Sequence, residues 1–204
     1  MGLLCVGVPG FIGLAWLVMA HGHENGLDMR ATEWALGSRS PALTQALLVV
    51  THLHSVMAIS AYTAGLSVWL LATRAHRHWL LPLWLFVPGG ATLNVLMKHG
   101  FERPRPALDE ALLSLHTFSF PSGHASGTTL LYGFLALVVL VHVRRPAWRW
   151  VTGVIALWVI GLVCWSRVYL GVHFFTDVLA GVLEALVWMA LCVIALSARR
   201  RPIG

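Results

Sequence analysis

The sequence predicts an all-α fold, a polytopic membrane helical bundle with six transmembrane helices and both termini cytoplasmic. Three observations carry this expectation. Of 204 residues, 58% are hydrophobic and only 11% are charged, against roughly 45–50% and about 25% in soluble domains. The apolar residues gather in runs close to the ~20 residues that a helix needs to cross hydrocarbon. The arginines gather in short clusters between those runs. No linker, internal repeat or low-complexity stretch divides residues 1–204, which are expected to form a single transmembrane domain.

Taken in order, the expected spans are Leu3–Ala20, Leu47–Thr73, Trp79–Met97, Ser122–Val143, Trp150–Trp165 and Phe174–Ala198. The first lacks a basic leading segment and a small-residue cleavage site, so it reads as a retained helix rather than a signal peptide. Arg74 and Arg77 join spans two and three, Arg144, Arg145 and Arg149 join spans four and five, and Arg199, Arg200 and Arg201 follow span six. All three segments fall on one side, which positive charge in short loops marks as cytoplasmic. The other side receives 22–46, 98–121 and the short turn 166–173.

The net charge of +6 does not point to nucleic acid, because the arginines flank apolar runs rather than forming one basic face. Cys5, Cys164 and Cys192 all lie in apolar stretches. An odd number without a CxxC pair suggests neither a disulfide framework nor a zinc site. His21 and His23 are paired in an outer loop, but no neighbouring carboxylate or Cys completes a metal site. No metal or other cofactor is expected. In the segment Ala107–Phe120, Leu108, Leu112, Leu115 and Phe118 recur at helical spacing opposite Asp109 and Glu110. That pattern predicts a short amphipathic helix at the interface, serving either as a lid beside a lateral lipid entrance or as a packed connector.

Three polar strings fall at outer membrane boundaries. The first runs from Lys98 through Arg105-Pro106, the second is Pro121-Ser122-Gly123-His124, and the third spans Ser166-Arg167, His173 and Asp177. Lys98, Arg105 and Arg167 place positive charge at one end of the bundle, and a guanidinium offers a rigid fork to phosphate oxygens. Ser122-Gly123-His124 opens a helix, where unpaired N–H groups attract an anion. Together they would suit a tetrahedral dianion. Asp177 stands four residues after His173, so its carboxylate can hold one ring nitrogen and aim the other at phosphorus. His124, across the anion site, is placed to protonate a departing alkoxide.

These strings resemble the type 2 phosphatidic acid phosphatase family, membrane lipid-phosphate phosphatases that share a pocket with vanadium haloperoxidases. The family pattern, K-x6-RP, then PSGH, then SR-x5-H-x3-D, occurs here in order and with matching spacing. The resemblance implies that Lys98, Arg105 and Arg167 hold the phosphate and that Ser122 and Gly123 complete the cradle. It implies His124 as general acid, His173 as the nucleophile that becomes phosphohistidine, and Asp177 as its orienting partner. Ser166 fits the motif without a clear role. The family works without a metal.

Two features stand outside the pattern. Of the pairs Arg103-Pro104 and Arg105-Pro106, only the second has the family spacing from Lys98, so Arg103 is the weaker candidate for a phosphate ligand. Glu184 has no motif counterpart. It lies about 16 Å deeper than His173, at ~1.5 Å per residue, and reads either as a functional intramembrane acid or as a buried partner for a hydroxyl, Asn94 or a His.

The function expected is hydrolysis of a lipid phosphate or pyrophosphate at the outer face of a bacterial cytoplasmic membrane. Undecaprenyl pyrophosphate, phosphatidylglycerol phosphate and phosphatidate types are the leading substrates. The partners are the lipid phosphate entering from the bilayer and the membrane lipids themselves, with no nucleic acid. The alternatives are a lipid phosphotransferase or lipid A-type phosphatase using the same site, and a non-catalytic lipid-binding or transport protein. The last has no use for a nucleophile, an acid and an orienting Asp. The six apolar spans argue against a soluble haloperoxidase.

Overall fold

The structure, a computed structural model, describes residues 2–21, 25–107, 113 and 117–199. Its described residues form helices and connecting loops with no strand. The helices are α1 (Gly2–His21), α2 (Gly26–Gly37), α3 (Pro41–Leu53), α4 (Val56–Ala72), α5 (Leu80–Phe101), α6 (Gly123–His142), α7 (Pro146–Tyr169) and α8 (Phe175–Arg199). A short 3-10 helix, Arg74–Trp79, links α4 to α5. Five described helices are long and apolar enough to cross a membrane, and α3 with α4 makes a sixth crossing if that bent pair is one span. A lipid environment explains why Val6, Trp16, Leu96, Trp150, Leu157 and Trp158 can lie exposed on the bundle surface.

The sequence expectation and the structure differ at two spans. The second begins earlier than expected, at Pro41, and bends by 45° between Leu53 and Val56. The break has a local cause. Ser55 caps α4 by accepting from the Ala58 N–H at 3.2 Å, while His54 closes α3. The fifth span is longer than expected. Pro146 starts α7 at a first-turn position, where its missing N–H costs nothing, and the helix continues through Arg167 to Tyr169.

Helix α6 lies at the centre, packed against α4, α5, α7 and α8, and α1 packs along α8. The largest buried apolar cluster joins Leu83 and Phe86 of α5 with Leu130 and Phe134 of α6 and Ala185 of α8. Several buried hydroxyls in the spans return to their own helix carbonyls, as with Thr63 on Ile59 and Thr129 on Ala125. One contact sets how α8 meets the start of α6. A Cβ on Gly181 would lie 2.5 Å from the Ser122 carbonyl oxygen, so only glycine permits this approach.

The arginines at 74, 77, 144, 145 and 149 lie at one end of the bundle, and the three polar strings lie at the other. The outer connection after α1, expected only as a loop, contains α2. Asn25 caps it by accepting from the Asp28 N–H at 2.9 Å. Most of the amphipathic helix expected over Ala107–Phe120 falls outside the described residues, as does His23. Thr117–Phe120, at the end of that segment, is described and is not helical.

Candidate active site

The candidate site forms where the last turn of α5, the first of α6, the last of α7 and the start of α8 converge. Glu102, in the left-handed region at φ 47°, ends α5 by donating its N–H to the Lys98 carbonyl. The next residues therefore turn inward over the bundle end. This brings Lys98, Arg105, His124, Arg167, His173 and Asp177 together. The charges of Arg167, Arg105 and Lys98 all act on the His124 ring.

His173 occupies the turn just before α8, not the helix itself, and is buried. Its Nδ1 lies 3.4 Å from Asp177 Oδ2 and 3.4 Å from Ser119 Oγ. Its Nε2 lies 3.1 Å from an Arg105 terminal nitrogen. A guanidinium can only donate, so Nε2 carries the lone pair and Nδ1 carries the proton, which faces the Asp177 carboxylate. Burial lowers the His173 pKa to about 3, outweighing the pull of Asp177. The ring is therefore neutral, with its free lone pair turned toward the cations.

Arg105 is held by several groups. It donates to the Thr117 carbonyl at 2.7 Å, to Thr117 Oγ1 at 2.9 Å and to the Val172 carbonyl at 2.6 Å. Burial lowers its pKa somewhat. Lys98 donates to the Phe118 carbonyl at 2.7 Å. Arg167 is 1% exposed and donates to Thr51, yet its Nε and other terminal nitrogen have no hydrogen-bond partner in the protein. Orphaned guanidinium donors beside two further cations are what an oxyanion ligand would satisfy.

The remaining candidates divide. Ser122 is buried and its hydroxyl has no partner, but its N–H donates to the Asp177 carbonyl at 2.9 Å. The N–H groups open to an anion at this terminus are therefore those following Ser122. Gly123 sits close to α5, since a Cβ there would lie 3.2 Å from Asn94 Oδ1. Ser166 does not face the anion, because its hydroxyl donates to the Val163 carbonyl at 2.7 Å. Glu184 accepts from Asn94 at 2.8 Å, well inside the bundle. Among the described residues, no group of three His, Cys, Asp or Glu side chains could hold a metal ion.

Sequence reasoning missed a second layer. Asp177 also accepts from Ser119 and from Arg103, the latter at 2.5 Å. Arg103, 3% exposed, bridges Asp177 to Asp28 at 2.8 Å. Thr176 supplies its N–H and its hydroxyl to the same Asp28 carboxylate, each at 2.8 Å. The available signals were a second Arg-Pro pair immediately after α5 and an Asn-x-x-Asp start to an outer helix.

Beside Lys98, Thr117 and Gly123, an apolar groove of about 540 Å³ runs down between α4, α5 and α6, past Thr63, Val87, Ala91 and Gly127. Cationic groups at its head and apolar walls below match the two halves of a phosphorylated lipid.

Comparison with known proteins identifies the family. The sequence pattern of the PAP2 superfamily matches residues 79–201. Phosphatidylglycerophosphatase B of Bacillus subtilis (strain 168) is 31% identical over 182 residues, covering 85% of this chain and 87% of that protein. An undecaprenyl-diphosphatase of Sulfolobus acidocaldarius is 42% identical over 64 residues, 31% of this chain and 27% of that protein. The crystal structure of a transmembrane PAP2-type phosphatidylglycerolphosphate phosphatase from Bacillus subtilis superposes with a TM-score of 0.85 at 28% identity, over all of both chains. Aquifex aeolicus LpxE shares the fold, with a TM-score of 0.67 at 22% identity over 85% of this chain and 98% of that one. The chain belongs to the PAP2 superfamily and is a membrane lipid phosphatase of that family.

Proposed function

We propose that this enzyme removes the terminal phosphate of phosphatidylglycerophosphate at the outer face of the cytoplasmic membrane, through a phosphohistidine on His173. One observation carries the chemistry. The His173 ring is neutral, oriented through Nδ1 by Asp177, and presents Nε2 to Arg105. The phosphate enters among Lys98, Arg105 and Arg167, displacing Arg105 from Nε2 and taking up the orphaned donors of Arg167.

Nε2 then attacks phosphorus, the bond to the lipid oxygen breaks, and His124 gives that oxygen its proton. Asp177 stabilises the positive ring that results. The bound dianion offsets the positive charge that Arg167, Arg105 and Lys98 project onto His124, which favours a ring carrying that proton. In the second half, neutral His124 takes a proton from water, the water oxygen bonds to phosphorus, and the P–N bond breaks to release inorganic phosphate. The cations do the charge neutralisation, so no metal is required. Gly123 and the Ser122 hydroxyl complete the cradle, and Ser166 and Glu184 support it structurally.

The substrate choice draws on the groove, which suits acyl chains, and on the activity of the full-length Bacillus subtilis relatives. Undecaprenyl diphosphate is the second reading, favoured by the shorter match to the Sulfolobus protein. The two arginine-flanked junctions at the far end of the bundle support an outward-facing site. Purified protein assayed for phosphate release against both lipids, with His173→Ala alongside, tests the proposal. Higher kcat/KM for phosphatidylglycerophosphate and no turnover by the variant are expected. A preference for undecaprenyl diphosphate replaces the substrate, and an active variant removes the mechanism.

A further inference from the structure

Three buried charged groups, Asp28 of α2, Arg103 after α5 and Asp177 of α8, form a chain of ion pairs that reaches outside the family motif. Asp28, fully buried in the first turn of α2, binds Arg103 at 2.8 Å, and Arg103 binds Asp177 at 2.5 Å. The Phe174 ring covers the guanidinium, with its centre 4.2 Å from the central carbon. Asp28 is itself held by Asn25 and by both donors of Thr176, the residue before Asp177.

The charges matter more than the contacts. Asp177 alone beside Arg103 would be a neutral pair, with little negative charge left to stabilise a positive His173 ring. Arg105 and Arg167 already bring positive charge to that ring. A second carboxylate on the far side of Arg103 absorbs its charge, leaving the buried Asp28–Arg103–Asp177 set with a net charge of −1. We propose that Asp28 is a positioning residue of the phosphatase reaction, compensating Arg103 so that the Asp177 carboxylate remains available to the His173 ring. This makes α2 part of the catalytic apparatus rather than a packed connector. The inference rests on His173 being the nucleophile.

The test uses detergent-purified full-length protein with phosphatidylglycerophosphate, measuring kcat, KM and thermal unfolding for Asp28→Asn, Asp28→Asn with Arg103→Gln, and His173→Ala. Asp28→Asn keeps the shape but leaves Asp177 alone to balance the Arg103 charge. It should lower kcat by about tenfold or more, with KM within about threefold, since the lost interaction acts in the transition state. Adding Arg103→Gln removes the Arg103 charge and should bring kcat back to within about threefold of wild type. A purely structural role predicts the opposite, a double variant at least as impaired as the single one. Unchanged kcat in Asp28→Asn, or loss without recovery in the double variant, overturns the proposal. If Asp28→Asn does not fold, the double variant decides alone, and a kcat more than about threefold below wild type at retained thermal stability overturns the proposal. His173→Ala separates the two levels. Turnover by that variant refutes the nucleophile, whereas its inactivity combined with an indifferent Asp28 refutes only the role of Asp28.

Discussion

Arg103 and Arg105 stand two positions apart and serve different partners: Arg103 bridges the carboxylates of Asp28 and Asp177, while Arg105 donates to Nε2 of His173. Pro104 between them lies in a stretch without regular secondary structure, and the two guanidinium groups go to different partners. One faces the buried carboxylates and the other the His173 ring, where the phosphate is proposed to enter.

This divergence separates two substitutions. Arg105→Ala removes a charge-assisted phosphate contact worth roughly 1.5–3 kcal/mol, so kcat/KM should fall at least about tenfold while thermal stability holds. Arg103→Ala strands two buried carboxylates, and breaking a buried pair in this way costs about 3–5 kcal/mol. It should show first as a lowered unfolding temperature. The sequence marks Arg103 only as the weaker candidate for a phosphate ligand, which gives no reason to expect a large effect from its loss. Its burial supplies that reason, for stability. An Arg103→Ala protein as stable as wild type would contradict the bridge.

His173→Ala should abolish turnover in a folded protein, and Asp177→Asn should retain a trace, since it weakens orientation but spares the nucleophile. Losing a positioned acid or base typically costs ~10²–10⁴-fold. Rapid quenching with radiolabelled substrate should trap an acid-labile, base-stable phosphoryl group in wild type and none in His173→Ala.

Metal dependence follows from the same cations. With Lys98, Arg105 and Arg167 converging on one site, activity should survive EDTA, and vanadate should inhibit as a mimic of pentacoordinate phosphorus. Strict dependence on added Mg²⁺ or Zn²⁺ would contradict the proposed division of labour.

Burial holds the His173 pKa at about 3, below the ~6.5 of an imidazole in the unfolded chain. Between these values the unfolded state binds the proton and the folded state does not. The stability this site contributes is therefore present above pH ~6.5 and is lost as the pH falls toward 3. Wild type should lose thermal stability more steeply than His173→Ala between pH 7 and pH 4.5. Parallel curves would mean that the ring is not held neutral.

The groove makes a prediction about the lipid tail. Ala91 lines it and is exposed along α5, so Ala91→Phe should narrow it without crossing the core. KM for a long-chain substrate should rise by roughly tenfold, about the value of one or two buried methylene groups at ~0.8 kcal/mol each. A water-soluble short-chain phosphate should be turned over as before. Equal effects on both substrates would place the tail elsewhere.

Sequence alone determined the membrane class, because so few charges cannot cover a soluble domain and because hydrocarbon imposes a minimum helix length. It also singled out Lys98, Arg105, His124, Arg167, His173 and Asp177, whose types and spacings are tied to one chemistry. It located most spans closely but missed the break at His54-Ser55, where a serine cap competes with helix continuation. Only the tertiary structure decided what surrounds these groups. Asp28 lies far from Asp177 in sequence, and no local pattern encodes that a short outer helix will carry it onto Thr176 and Arg103. Ser166 and the Ser122 N–H read as site groups by motif, yet backbone carbonyls take them up. Which donors stay open to a ligand depends on how helices α5 to α8 pack at their ends, and hydrogen-bond satisfaction there is a property of the assembled bundle.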